Sequence, residues 1–432
     1  MPQPLAPYPE SYYSATAALP APAPPLDTTV AADVCIVGAG MAGCSAAIQL
    51  AEKGLKVVLL EEQRTGWGAS GRNGGQVLPG VSKGQAALER LVGPADARAI
   101  WDVTVEGVRL LRQRIARYAI DCDWVDGHLQ VANKARQIAE LAIEQEVLEK
   151  LGYGGTRLIA RSELDALLAT RRYLGGLYDP GSGHLHPLRY TLGLARAAQG
   201  AGALLYEGTR AISYSAAGST VRVRTAGSGV SGEVRCQHLL LAGNAYLGSL
   251  APALARRIMA VGTFIIATEP LGEARARELI GNNAAVSDLN WIIDYFRRSA
   301  DHRLLFGGRV SYSGIEGFEV VAATRARMLR VYPQLAQARI EYHWGGYVDI
   351  TMNRAPNFGR LEPNVWYLQG FSGHGVALTG IAGVLAAEAI AGSAGRFDLF
   401  ARIAHRDFPG GALLRRPALV LAMLWFRLRD LL

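Results

Sequence analysis

Apolar and polar positions along the chain repeat with two different periods. Within 33–37 the residues after Asp33 form a continuous apolar run, 42–53 repeat with a helical period up to Gly54, and 56–61 hold a second such run between Lys56 and Glu61. This order predicts strand, helix and strand, with a glycine turn between the first two. Helical patterns follow over 95–118 and 135–151. Between 203 and 241 the texture changes to short period-two segments such as Val221-Arg222-Val223-Arg224-Thr225, closed by an apolar strand over 238–242. Segments 262–268 and 303–307 also read as strands and place a second sheet within 255–345. A glycine-rich strand–loop–helix occupies 365–392, with its helix over 379–391. Residues 1–30, with Pro20, Pro22, Pro24 and Pro25 close together, read as an extended arm on the surface. The predicted fold class is α/β.

The 432 residues are 50% hydrophobic and 19% charged, which excludes a largely disordered chain and suits two or three domains. The formal charge is +8, and its 45 basic residues include only five lysines, Lys53, Lys56, Lys83, Lys134 and Lys150. Such an excess favours anionic ligands or surfaces, and no nucleic-acid-binding motif accompanies it. Cys35, Cys44, Cys122 and Cys236 form no C-x-x-C pair, which argues against a disulfide framework and for a reducing, cytoplasmic compartment. The first residues show no secretory leader, and no apolar run reaches the ~20 residues that span a bilayer. At the other end, Pro417 and flanking arginines bracket an apolar stretch, 418–426, within an expected amphipathic helix over 411–432. That helix suits peripheral contact with the inner face of the cytoplasmic membrane; its alternatives are packing on the protein's own body or at a homodimer interface.

The first chemical signal is Gly38-Ala39-Gly40-Met41-Ala42-Gly43, placed between the first strand and its helix. Gly38 suits the turn, Gly40 lets backbone approach a pyrophosphate, Gly43 permits close helix–strand packing, and the helix N-terminus favours negative charge. Glu61, with Glu62 beside it, stands where an acidic residue would bind a ribose. Dinucleotide binding leaves NAD and FAD open. The loop Arg64-Thr65-Gly66-Trp67-Gly68-Ala69-Ser70-Gly71-Arg72-Asn73-Gly74-Gly75-Gln76 then replaces the helix that an NAD fold would continue into. Its small residues expose backbone N–H groups, and Arg72 and Asn73 suit anionic or carbonyl oxygens.

This loop resembles the second cofactor-contacting stretch of the D-amino-acid-oxidase superfamily of flavoenzymes. Leu239-Leu240-Leu241-Ala242-Gly243-Asn244-Ala245 and Tyr367-Leu368-Gln369-Gly370-Phe371-Ser372-Gly373-His374-Gly375-Val376 fit the same family. Within it, Ser11-Tyr12-Tyr13, His184-Leu185-His186-Pro187, Asp294-Tyr295-Phe296-Arg297 and Trp344-Gly345-Gly346-Tyr347-Val348-Asp349-Ile350-Thr351 resemble the bacterial γ-glutamylputrescine oxidoreductases and their relatives, including L-pipecolate oxidases. The resemblance implies a Rossmann-like FAD-binding domain from discontinuous segments, 31–115, 180–250 and 345–395, and an α+β substrate domain from 116–179 and 251–344. It implies non-covalent FAD contacts from Gly38, Gly40, Met41, Ala42 and Gly43, and from Glu61, Glu62 and Gln63. Further contacts are implied from Gly68, Ala69, Ser70, Arg72, Asn73, Gly74, Gly75 and Gln76, from Ala211, Ala242 and Gly243, and from Gly346, Phe371, Ser372, Gly373, His374, Gly375 and Val376.

The implied chemistry is oxidation of a C–N bond in a small-molecule amine or imino acid, with a hydride passing to flavin N5 and an imine left behind. His374, Tyr295 and Arg309 are the candidate catalytic residues, although His374 in such a loop also suits a structural donor. Trp291, Tyr295, Trp344 and Tyr347 suit an aromatic amine pocket or the core, and Arg297, Arg298 and Arg309 suit a substrate carboxylate. His184 and His186 lack a third ligand at suitable spacing, so a loop before a helix is expected there and no metal. The electron acceptor is oxygen or membrane quinone. A lysine over the flavin that promotes reaction with oxygen, as in sarcosine-oxidase-like relatives, has no direct equivalent in a chain without lysine after position 150. A flavin-binding protein without turnover is the reading from a different class.

Overall fold

The computed structural model describes residues 5–311 and 318–409; the expected helix over 411–432 lies outside them. Three sheets organise these residues. The first has six strands in the order Asn357–Glu362, Val365–Gln369, His238–Leu241, Val34–Val37, Val57–Leu60 and Leu204–Tyr206. All neighbours in it are parallel except the first pair. The central runs are apolar on both faces because helices cover one side and the second sheet the other. Helix Met41–Glu52 crosses the returning helix Val376–Ile390 at small residues: a Cβ on Gly383 would overlap the Ala42 carbonyl and lie 2.7 Å from the Ser45 Cβ. Ser45 donates to the Gly380 carbonyl, and Arg114 donates to the Ser45 hydroxyl at 2.6 Å.

The second sheet is a meander, Arg210–Ala217, Thr220–Gly227 and Val230–Cys236, joined in parallel by Thr29–Ala31. The third has nine strands and roofs the site. Ile340–Ile350, Met259–Thr268 and Leu304–Ser311 form one end, with Tyr295–Arg298 and Ala285–Asp288 next. Val125–Ala132, Gly175–His184 and Gln76–Val77 follow, and Arg157–Ala160 pairs on the side of Gly175–His184. Helices Pro94–Arg117 and Ala135–Lys150 lie close to their expected spans. Strand Gly175–His184 crosses position 180, where the sequence reading divides the two domains, and Gln76–Val77 pairs with its end, so that division does not follow the sheets.

The N-terminal arm departs from the extended surface segment expected of it. It contains a helix, Tyr12–Thr16, capped by Ser11, with Tyr12 and Tyr13 buried against Trp344, Leu188 and Leu192. Proline content dominates the composition there, but three tyrosines carry enough apolar area to pin the arm. The Tyr8 hydroxyl donates to the Thr65 carbonyl at 2.8 Å, and Arg297 donates to the Tyr13 hydroxyl at 3.1 Å. Tyr13→Phe deletes only that oxygen, so we expect a loss of about 1–2 kcal/mol. A urea unfolding midpoint unchanged from wild type would rule it out.

Candidate active site

Turn Gly38–Gly40 follows strand Val34–Val37 directly, with Gly38 at φ +108°. A Cβ on Gly38 would lie 2.8 Å from the Ala242 carbonyl oxygen, and one on Gly40 2.7 Å from the Ser70 hydroxyl. The backbone is therefore bare on the side where the loop after Glu61 comes in. Ser70 accepts the Met41 N–H at 3.0 Å, and Cys44 makes the first bond of the helix to Gly40, which leaves the Ala42 and Gly43 N–H groups at its start. Glu61 accepts from the N–H groups of Ala39 (2.9 Å) and Gln63 (3.0 Å), and burial pushes its carboxyl up to about 7 against those two bonds.

Beyond this cradle opens a cavity of about 1030 Å³. Its walls bring together Gly40, Met41, Ala42, Ala69, Ser70, Arg72, Asn73, Gly74, Gly75, Gln76 and Ala242 with Gly346, Phe371, Ser372, Gly373, His374, Gly375, Val376 and Tyr295. Gly38, Gly43, Glu61, Glu62, Gln63, Gly68 and Gly243 do not line it but lie in or beside the cradle. Ala211 is set apart: it is buried in the meander opposite Thr225. Arg309 occupies strand Leu304–Ser311, and its side chain lies outside the described residues.

Several residues expected to meet ligands also bond the protein itself. Arg72 donates to the carbonyls of Trp67 (2.6 Å) and Gly345 (3.3 Å) and stacks 4.0 Å from the Trp67 ring centroid. Asn73 bonds Ala69, Ser70 and Gly75 and so shapes its own loop. Arg297 donates to the carbonyls of Gly74, Leu185 and Arg298, and Arg298 to Ile280, so neither is the carboxylate partner expected of it. Trp344 is core, donating to the Arg72 carbonyl, whereas Trp291, Tyr295 and Tyr347 line the cavity. The His184 ring meets the Asn283 carbonyl at 2.8 Å, and His186 caps helix Pro187–Gly200 through the Arg189 N–H. His184 ends a strand instead of sitting in the expected loop.

His374 meets the Pro79 carbonyl at 2.8 Å through Nε2, and burial lowers its pKa, so the ring is neutral and its Nε2 hydrogen is directed to Pro79. The Tyr295 ring lies on Gly74 and Gly307, where Cβ atoms would collide with it, and burial keeps its phenol protonated. Among the described residues its hydroxyl has no hydrogen-bond partner.

Three groups escaped the sequence reading. Asp349, 1% exposed, accepts the Gly370 N–H while its own carbonyl accepts the Ser372 N–H at 3.0 Å. It thereby holds Ser372 at φ +53°, an unfavourable conformation for serine, and burial pushes its carboxyl up to about 7. His128 lines the cavity, meets the Ser287 hydroxyl at 3.0 Å and is pushed down to about 3 by burial and by His374. Lys83 also lines the cavity, its ammonium 5.1 Å from the Trp291 ring centroid. A lysine from the N-terminal third therefore reaches the site, although none follows position 150.

Comparison with known proteins matches residues 33–389 to the family described as FAD dependent oxidoreductase. This chain belongs to that family. The flavoenzyme is 42% identical to gamma-glutamylputrescine oxidoreductase of Escherichia coli, over 97% of its own length and 98% of that protein's. It is 40% identical to a probable oxidoreductase, OrdL, of Haemophilus influenzae, over 94% of each chain. Its fold is similar to glycine oxidase of Geobacillus kaustophilus (TM-score 0.69, 20% identity, 84% of this chain and 95% of that one). It is also similar to L-proline dehydrogenase of P. horikoshii (TM-score 0.68, 21% identity, 85% and 94%). The residues present fit the cofactor: the cradle's glycines leave no side chain on the path from Glu61 to the cavity, and the Asn244 side-chain oxygen, buried at the cavity wall, has no hydrogen-bond partner.

Proposed function

We propose that this flavoenzyme oxidises the C–N bond of a γ-glutamylputrescine-like amine. The observation that carries the reading is a single cavity that runs from the glycine cradle past Tyr295 to an aromatic and aliphatic outer part, large enough for a long substrate beside the flavin. The relative named gamma-glutamylputrescine oxidoreductase, similar over nearly its whole length, supports it. In this reading FAD is held non-covalently: the N–H groups of Ala42 and Gly43 face its pyrophosphate, Glu61 its ribose, and the loop 370–376 its ring. When bound, FAD accepts a hydride from the amine carbon.

The chain's own groups then act as orienting surfaces. Tyr295 offers a neutral hydroxyl toward the substrate, neutral His374 and His128 add no cation that would repel a protonated amine, and Tyr347 and Trp291 supply ring faces. No side chain is required to keep the proton that the amine sheds before oxidation, since the outer cavity is open to water.

A cyclic imino acid such as L-pipecolate is favoured by one observation. Arg354, half-buried, lines the same cavity and makes no ion pair with a carboxylate among the described residues, while burial lowers its pKa. Anaerobic bleaching of the flavin separates the readings. We expect γ-glutamylputrescine to bleach it fastest, ahead of putrescine, L-pipecolate and L-proline. Bleaching by the imino acids alone would replace the first reading with the second, and none with any of them would favour a flavin-binding protein without turnover. Hydrogen peroxide yield against quinone reduction with the bleaching substrate then assigns the acceptor.

A further inference from the structure

The cavity has an outer lobe that neither the cradle nor the flavin-facing loops explain. Helices Gln85–Val92, Pro94–Arg117 and Ala135–Lys150 wall it with Leu88, Ile100, Trp101, Leu141 and Leu148. Trp101 stacks edge-on with Tyr153 at 5.5 Å, and the Tyr153 hydroxyl is held by Asp179. This lining suits methylene groups and offers little to a charge.

The same lining also carries charge of both signs, on side chains that stay exposed. Glu140 and Glu144, one turn apart on helix Ala135–Lys150, line the lobe, and so does Lys83 from the segment 78–85. Glu144 is exposed as a residue, yet the surrounding protein desolvates its carboxyl enough to raise its pKa. Lys83 is placed by the Trp291 face. Trp291 belongs to the segment 289–293, whose base is tied by Asp288: it accepts the N–H groups of Asn290 and Asp294, and its own N–H donates to the Asp294 carbonyl. An apolar throat leading to a lysine and two glutamates matches a linear molecule that is apolar in the middle and zwitterionic at the far end.

We propose that this outer lobe recognises the α-amino and α-carboxylate groups of a γ-glutamylated amine, Lys83 taking the carboxylate and Glu144, helped by Glu140, the ammonium. The assignment rests on the substrate reading above and adds which end of the substrate confers specificity. An amine reacting at the flavin through its terminal methylene would project the other three through the throat and leave the amino-acid end among these charges. Each charged contact at a partly exposed site is worth about tenfold in affinity.

The test uses the holoenzyme and three substrates: γ-glutamylputrescine, N-glutarylputrescine, which keeps the carboxylate alone, and N-(4-aminobutyryl)putrescine, which keeps the ammonium alone. Lys83→Met should lower kcat/KM about tenfold for the two that carry the carboxylate and much less for the third. Glu144→Gln should lower it for the two that carry the ammonium. Both losses should fall on KM with kcat kept, because the contacts are the same in the ground and transition states. Calorimetry with N-butyl-L-glutamine, which keeps the amino-acid end and lacks the reacting amine, should show each variant binding about tenfold more weakly. Equal losses on all three substrates, or none, would overturn the assignment while leaving the substrate reading standing. Failure of γ-glutamylputrescine to bleach the wild-type flavin would overturn both.

Discussion

Gly43→Ala should yield a protein that purifies without flavin. A Cβ at this position would fall inside the Gly38 carbonyl oxygen and lie 3.3 Å from the Ile36 side chain. Neither neighbour can yield. Gly38 is tied through its N–H to the Leu60 carbonyl at 2.8 Å, and Ile36 sits in the middle of the parallel sheet. The helix would have to lift from the strand, but Gly383 presses on its other side at Ala42 and Ser45. Overpacking costs about 1–3 kcal/mol where side chains can shift and more where only backbone is available. The turn would open, and with it the approach of N–H groups to a pyrophosphate; we expect flavin affinity to fall at least 100-fold. Gly54→Ala is the control. Its φ of +84° imposes strain, but a Cβ there meets nothing within 4 Å, so about 1 kcal/mol and an unchanged flavin content are expected. Flavin absorbance per mole of protein decides: a fully yellow Gly43→Ala protein would refute the packing argument.

That turn could be read in advance because its physics is local. An apolar run, spaced glycines and a helical period lie within twenty residues, and each demands the others. Strand Gly175–His184 could not be read: Asp179-Pro180-Gly181-Ser182-Gly183 has the composition of a turn, and only pairing with Val125–Ala132, Arg157–Ala160 and Gln76–Val77 holds it extended. Helix Val376–Ile390 begins three residues before its expected start because glycine at 375 and small residues after it weaken the periodic signal. The site divides in the same way. The loop 68–76 and the loop 371–376 announced themselves through glycine, and the cavity joins them. Lys83, His128 and Asp349 did not, since an isolated lysine, histidine or aspartate acquires its role only from what the fold sets opposite it. Arg297 misled for the converse reason: besides the carbonyl of its neighbour Arg298, it meets carbonyls of two distant segments, at Gly74 and Leu185, neither visible in the sequence around it.

Asp349 gives the second large effect, in the dependence of stability on pH. Its carboxyl is pushed up to about 7 in the folded protein by burial, against about 3.9 in an unfolded chain. Between these values the native state binds a proton that the unfolded state has lost. Stability contributed by this group is therefore full below about pH 4, falls as pH rises, and is gone above about 7. Asp288, pushed up by burial and by the neighbouring Asp294 charge, and Glu61 slope the same way. Asp349→Asn removes one of the three charges and keeps an oxygen to accept the Gly370 N–H, so the Ser372 turn survives. We expect the variant to match wild type at or below about pH 4 and to exceed it by about 2 kcal/mol or more at pH 8, measured as urea unfolding at fixed, saturating FAD. Parallel pH curves for the two proteins would show that Asp349 is ionised at little cost and that its burial is relieved by water or by the cofactor. Asp349→Ala separates charge from scaffold. It removes the acceptor as well, leaves the Gly370 N–H without a partner, and should be destabilised by about 1–3 kcal/mol at or below about pH 4, where the charge plays no part.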